Sequence, residues 1–176
     1  MPRLDERETF EEQGSPRQSR TSGPGLKARA VRYLSVREHS RQELARKLAA
    51  YAMEPDEVQA VLDELQREGW QSDERFAQSF EHHQSVRFGA RRIASTMRER
   101  GLDDDLIRQS IDRLQSSESQ RAWQVWQKRF GSNGLPSDPK EHSRQARFLL
   151  SRGFDAGIVN KILAGRHDPS EPDSTS

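Results

Sequence analysis

A short pattern of apolar and turn residues occurs three times along the chain. Leu48-Ala-Ala-Tyr-Ala52-Met53 is followed by Val58 and Val61-Leu62, and Met97-Arg-Glu-Arg-Gly101-Leu102 by Ile107 and Ser110-Ile111. Leu149-Leu-Ser-Arg-Gly153-Phe154 is followed by Val159 and Ile162-Leu163. The internal spacings are the same in each copy, and successive copies are offset by 49 and 52 residues. Such a period points to a helical array, in which a unit buries its apolar face only by docking on its neighbours. What repeats is a packing pattern and not a set of catalytic groups, so the chain reads as a binding surface.

Composition narrows the classes. Only 31% of the 176 residues are hydrophobic and 32% are charged, so any core is thin, and a unit of this period is marginal alone. Absence of cysteine excludes a disulfide framework and thiolate chemistry and fits a reducing cytosol. No apolar run reaches the length of a membrane span, and the first residues lack a signal-peptide pattern. The expectation is a soluble, cytoplasmic monomer without membrane contact. Net charge is +1, with acidic ends around a mildly basic middle. That middle permits phosphate contacts without announcing a dedicated DNA-binding domain. The basic residues are 24 Arg and five Lys. Arginine favours bidentate pairing with carboxylate or phosphate, although a GC-rich genome gives the same bias.

Residues 1–25 and 166–176 offer almost nothing to bury and read as a disordered N-terminal arm and C-terminal tail. Between them the periodicity predicts nine helices and no strands. Pro24 opens the first, running to about Arg37; Ser40-Arg-Gln-Glu43 is a capping box for the second; Pro55 opens the third, which Gly69 closes. Ser72 caps the fourth, Gly89 breaks the chain, the fifth ends at Gly101, and Asp103 caps the sixth. The seventh starts near Ser119, the eighth runs to Arg152, and Asp155 caps the ninth. The fold class is therefore all-α: three tandem three-helix, helix-turn-helix-like repeats in an elongated array, spanning residues 26–71, 72–117 and 118–165. Gly occupies the turn in the second and third copies and Ala52 in the first, so the first turn is expected to differ in geometry.

These residues resemble the RecX family. The first unit carries Tyr33-Leu34, Arg37, Ser40, Glu43-Leu44 and Leu48, then Leu65-Gln-Arg-Glu-Gly69-Trp70-Gln-Ser-Asp73-Glu-Arg75-Phe76-Ala77. The second carries Gly89-Ala-Arg91-Arg92-Ile93 and Met97 to Leu102, and the third Phe148-Leu149-Leu-Ser-Arg152-Gly153-Phe154. The resemblance covers roughly residues 26–165. The segment from Trp123 to Asp138 carries little of it, and no function is transferred there. What the resemblance implies is a regulator without enzymatic activity or cofactor, acting on the RecA recombinase in DNA repair, recombination and the SOS response. Such proteins bind along the groove of the RecA–single-stranded DNA filament and lower strand exchange, ATPase and repressor cleavage, with weak direct DNA contact.

Candidate contact residues are the arginines of the densest basic stretch, Arg87, Arg91, Arg92, Arg98 and Arg100, where Gly89 at a helix start offers a place for a phosphate or an acidic surface. A solvated face offset by Glu99 and Asp103 to Asp105 is the plainer reading. Arg41, Arg46 and Lys47 occupy related places in the first unit, and Arg144, Arg147 and Arg152 in the third. Trp70 is expected to wedge between two helices, Phe76 and Phe80 to lie in the core, and Trp123 and Trp126 to form a core stripe. His82 and His83 point to different faces and do not make a metal pair. There are no paired carboxylates, nucleophile elbow or phosphate loop. The alternative function is a helix-turn-helix DNA-binding transcriptional regulator. Against it, the third helices begin Glu54-Pro55-Asp56-Glu57 and Asp103-Asp104-Asp105, and phosphates are repelled by such starts.

Overall fold

The computed structural model describes residues 25–166, and the readings for the two tails and for Pro24 lie outside the described residues. Within them the chain forms α1 (Leu26–Leu34), α2 (Arg41–Leu48), α3 (Pro55–Arg67), α4 (Asp73–Ser85), α5 (Ala90–Glu99), α6 (Asp104–Gln115), α7 (Glu118–Phe130), α8 (Pro139–Ser151) and α9 (Ala156–Leu163). No strand occurs among the described residues. Each successive set of three helices closes on its own apolar cluster.

The first cluster is built on Leu44, Leu48, Leu62 and Leu65, the second on Phe76, Ile93, Met97 and Ile107, and the third on Trp126, Leu149, Phe154 and Ile162. Each such buried side chain contributes on the order of 2 kcal/mol. A cluster of this size cannot hold an isolated unit firmly, so the joints between units matter.

Local chemistry sets the helix ends. The hydroxyls of Ser40 and Ser72 accept from the amides of Glu43 and Arg75, and Asp103, Asp138 and Asp155 cap α6, α8 and α9 in the same way. Pro55 stands in the first turn of α3, where its missing N–H costs nothing. The capping box expected at Ser40 forms by half. Glu43 does not reach back to the Ser40 amide; its carboxylate pairs with Arg37, His39 and Arg100 instead.

Two further expectations are corrected. α1 ends at Leu34 and not near Arg37, the chain turning over Ser35 and Val36. Trp70 is 52% exposed and wedges nothing; its carbonyl accepts from Arg75. By contrast Phe76 is buried and stacks on Phe80, and Trp126 is buried with Trp123 stacked on it at 4.8 Å.

The three turns differ as the Gly/Ala pattern foretells. Gly101 and Gly153 have φ of 76° and 83°, in the left-handed region. The first turn instead passes through a 3-10 turn at Ala49–Tyr51, and Ala52 is extended at φ −83°, ψ 146°.

Candidate functional site

The repeated turn is the joint of the array. In the second unit it sits on the start of α2: the Ser40 hydroxyl donates to the Arg100 carbonyl at 2.8 Å, and Gly101 lies so close to Gln42 that a Cβ would fall 2.7 Å from its side chain. In the third unit it sits on the start of α5. The Gly89 amide donates to the Arg152 carbonyl at 2.9 Å, and the Arg91 amide to the Gly153 carbonyl at 3.3 Å. Each turn thus docks on the second helix of the preceding unit. The first turn has no preceding unit among the described residues, so its Ala meets no such constraint.

Side chains reinforce both joints. Between the first two units Arg100 reaches Glu43 at 2.6 Å, Arg75 reaches Glu38 at 2.9 Å, and the Arg41 amide donates to Asp73 at 2.8 Å. Burial pushes the Glu43 carboxyl up, but the hydrogen bond from Arg37 and the charges of Arg100 and Arg37 outweigh it and hold the group below the usual carboxylate range. His39, buried beside it, is pushed down by burial and by Arg37, against the hydrogen bond to Glu43. Between the second and third units Arg91 pairs with Asp155 at 2.7 Å, and Arg92 donates to the Ser151 carbonyl while lying over Phe88. The buried Glu118 accepts from the Ala90 amide at 3.1 Å, and burial raises its carboxyl despite that bond. Arg121 donates to the carbonyls of Ser85, Phe88 and Leu114, closing the ends of α4 and α6.

The arginine candidates therefore separate. Arg91, Arg92 and Arg100 are engaged at the joints, and Arg41 is tied to Gln59, Asp63 and Gln66 within the first unit. Lys47 lies over the Tyr33 ring at 4.8 Å, Arg98 faces Asp104 at 3.7 Å, and Arg144 pairs with Glu141. Arg147 is exposed on α8. The start of α5 is no phosphate site: the amides of Gly89, Ala90 and Arg91 are all occupied by the third unit, through Arg152, Glu118 and Gly153 in turn.

Arg87 and Arg152 come together beside the second joint, at a cavity of about 480 Å³ that also takes in Lys128 and Arg129 of α7. Arg129 is not among the candidates of the sequence, since the Trp123–Asp138 segment carries little of the RecX pattern. Its position in the last turn of α7, one residue before the buried Phe130, was the available signal.

Models of the first, second and third three-helix domains of RecX match residues 27–65, 72–111 and 117–163. The chain belongs to the RecX family. The third match runs through the Trp123–Asp138 segment, so that segment is part of the family's fold. The regulatory protein RecX of Chromobacterium violaceum is 47% identical over 146 residues, covering 83% of this chain and 93% of the relative. That of Leptothrix cholodnii is 43% identical over 150 residues, covering 85% and 94%. The crystal structure of RecX from Lactobacillus salivarius superposes with a TM-score of 0.67 at 20% identity, covering 80% of this chain and 94% of that one. At that identity the likeness speaks for the fold alone. Among the described residues no helix is long and apolar enough to cross a membrane, and no group of His, Cys, Asp and Glu is placed to hold a metal ion.

Proposed function

We propose that this chain is a non-enzymatic, cofactor-independent regulator that binds the RecA–single-stranded DNA filament as a monomer. It restrains the recombinase, ATPase and coprotease activities of RecA in the cytoplasm. The observation that supports this best is that similarity to relatives bearing the name regulatory protein RecX runs through all three units. The geometry agrees with it. Three modules, taken as residues 26–71, 72–117 and 118–165, are joined by the same turn-on-helix contact, so each can meet a neighbouring filament subunit. Weak contacts then add through effective concentration.

Within this reading the ten cations have two roles. Arg87, Arg98, Lys47, Arg144 and Arg147 present exposed charge to RecA or DNA, while Arg41, Arg91, Arg92 and Arg100 hold the modules that carry it. Arg152 is half-buried between the two sets. Base reading by a helix-turn-helix is disfavoured, because the first turns of α3 and α6 carry Asp56, Glu57, Asp104 and Asp105, all exposed.

The test is RecA's single-strand-dependent ATP hydrolysis with purified protein added from substoichiometric to equimolar ratios. Slowing is expected. No slowing at any ratio overturns the reading, and tight binding to duplex DNA at physiological salt in its place would establish the DNA-regulator alternative.

A further inference from the structure

Nine arginines of the described chain, Arg91, Arg100 and Arg113 among them, face a carboxylate. Arg87, Arg129 and Arg152 do not. Their guanidinium groups lie against aromatic rings: Arg87 with Phe88, Arg129 with Phe130, Arg152 with Phe148 at 4.3 Å and Phe88 at 5.9 Å. The Arg152 Nε is buried and has no hydrogen-bond acceptor. All three residues line the cavity beside the second joint, as does Lys128.

Such an arrangement is unfavourable by itself. Like charges gathered in a partly desolvated cleft repel, and burial together with Arg87, Arg92 and Arg129 depresses the basicity of Arg152. A bound anion relieves both the repulsion and the orphaned donor. The planar fork of arginine suits the oxygens of a phosphate, to which it donates in pairs.

The floor of the cleft narrows the class of anion. Val86, Val125 and Phe148 line it together with the cations, and Val86 is 72% exposed. A nucleotide carries a phosphate and a flat apolar face in every residue, whatever its base. In a duplex those faces are hidden in the stack, so only an unpaired strand offers both.

We infer that this cleft binds single-stranded nucleic acid, with Arg87, Arg129 and Arg152 on backbone phosphate and a base against the apolar lining at the exposed Val86. The inference deepens the filament reading and rests on it only for naming the strand as the filament's DNA.

The experiment measures fluorescence anisotropy of a labelled oligothymidylate with the full chain, across a salt series. R87Q/R129Q removes two exposed cations that make no fold contact beyond their own neighbouring rings, and circular dichroism checks its helicity. R67Q/R108Q removes the same charge from exposed positions on α3 and α6, at two arginines outside the cleft and outside the candidate contact set. Affinity is expected to fall about ten-fold in R87Q/R129Q, and the slope of log affinity on log salt to shrink by about 1.4, roughly 0.7 for each lost phosphate contact. R67Q/R108Q should change affinity by less than about two-fold, since distant charges are screened.

Equal losses in the two variants, or none in either, overturn the cleft. So does an equally effective duplex competitor, or an oligothymidylate that never binds while a labelled poly-glutamate peptide binds and is lost in R87Q/R129Q. The last result would assign the cleft to an acidic protein segment. RecA ATP hydrolysis measured in parallel separates the two readings. If wild type fails to slow RecA but oligothymidylate binding needs Arg87 and Arg129, the filament reading falls and the cleft stands. If RecA is slowed and oligothymidylate binding ignores both arginines, the cleft falls alone.

Discussion

The amide of Gly89 donates to the carbonyl of Arg152 at 2.9 Å, tying the start of one unit's second helix to the turn of the next unit. A Cβ on Gly89 would lie 2.3 Å from the Gly153 carbonyl oxygen, and one on Gly153 would lie 2.5 Å from the Arg92 amide nitrogen. Backbone meets backbone here, and no side chain can move aside to make room.

The three turns should therefore respond unequally to substitution. Gly153→Ala combines left-handed strain with a backbone clash and should cost about 2–4 kcal/mol, read from urea unfolding. Gly101→Ala has similar strain but its nearest atoms are in the Gln42 side chain, whose amide end can swing aside although its Cβ cannot, so about 1–3 kcal/mol is expected, less than at Gly153. Ala52→Gly changes an extended position and should cost about 1 kcal/mol or less. An equal response at all three positions would show that the turns do not act as joints.

Acid should loosen the joint between the first and second units. The folded pKa of His39 lies below its ordinary 6.5, so its contribution is fully present above about pH 6.5 and is lost as pH falls through the folded value. Glu43, also depressed, contributes above its ordinary 4.5 and loses that contribution at still lower pH. Arg37, Glu43, Lys47 and the edge of the Tyr33 ring surround His39 and set this balance. Thermal melts between pH 8 and pH 4 should show stability declining below 6.5, and H39Q should flatten the upper part of that decline. An unchanged profile would remove His39 from the account.

The second joint carries the opposite sign. Glu118 has a folded pKa above its ordinary value, mainly through burial, with the charge of Asp155 adding and Arg121 opposing. Its contribution is present below about pH 4.5 and declines as pH rises through the folded value. E118Q keeps an oxygen for the Ala90 amide and removes the buried charge, so at pH 7 it should match or exceed wild type in melting temperature. E118A leaves the start of α5 without that acceptor and should lose about 1 kcal/mol. If E118Q falls as far as E118A, the charge itself is stabilising.

In the third core the Trp126 indole donates to the Gln145 side-chain oxygen at 2.7 Å, both residues being buried. Q145L should cost about 1–3 kcal/mol by stranding the indole N–H. W126F/Q145L should recover part of that loss, because the buried indole N–H is then gone and only the longer contacts of Gln145 to the Gly134 carbonyl and Glu141 stay lost. Additive losses in chemical denaturation would mean that packing, and not the hydrogen bond, dominates.

The periodicity and end-signals at Ser40, Ser72, Asp103 and Asp155 were legible because they act within one turn of their own helix. The same is true of Gly101 and Gly153, whose left-handed φ is written in the absence of a side chain. Arg100 and Arg91 were legible only as cations. That their carboxylate partners lie 57 and 64 residues away depends on how two units meet, and no local pattern records it. Arg129 too is legible only as a cation, in a segment with little of the family pattern, until Phe148 of α8 and Arg152 just beyond it come to line the same cavity.

The sequence by itself determined three three-helix units, their caps and the family to which the chain belongs, because backbone conformation and apolar spacing are local properties. The tertiary structure decided what the repeated turn is for. Between the second and third units, a turn without a side chain allows the two backbones to approach within hydrogen-bonding distance. That approach sets Arg87 and Arg129 beside Arg152 with no carboxylate among them. Charge counted along the chain is nearly balanced; packing among the described residues leaves this cleft without a carboxylate.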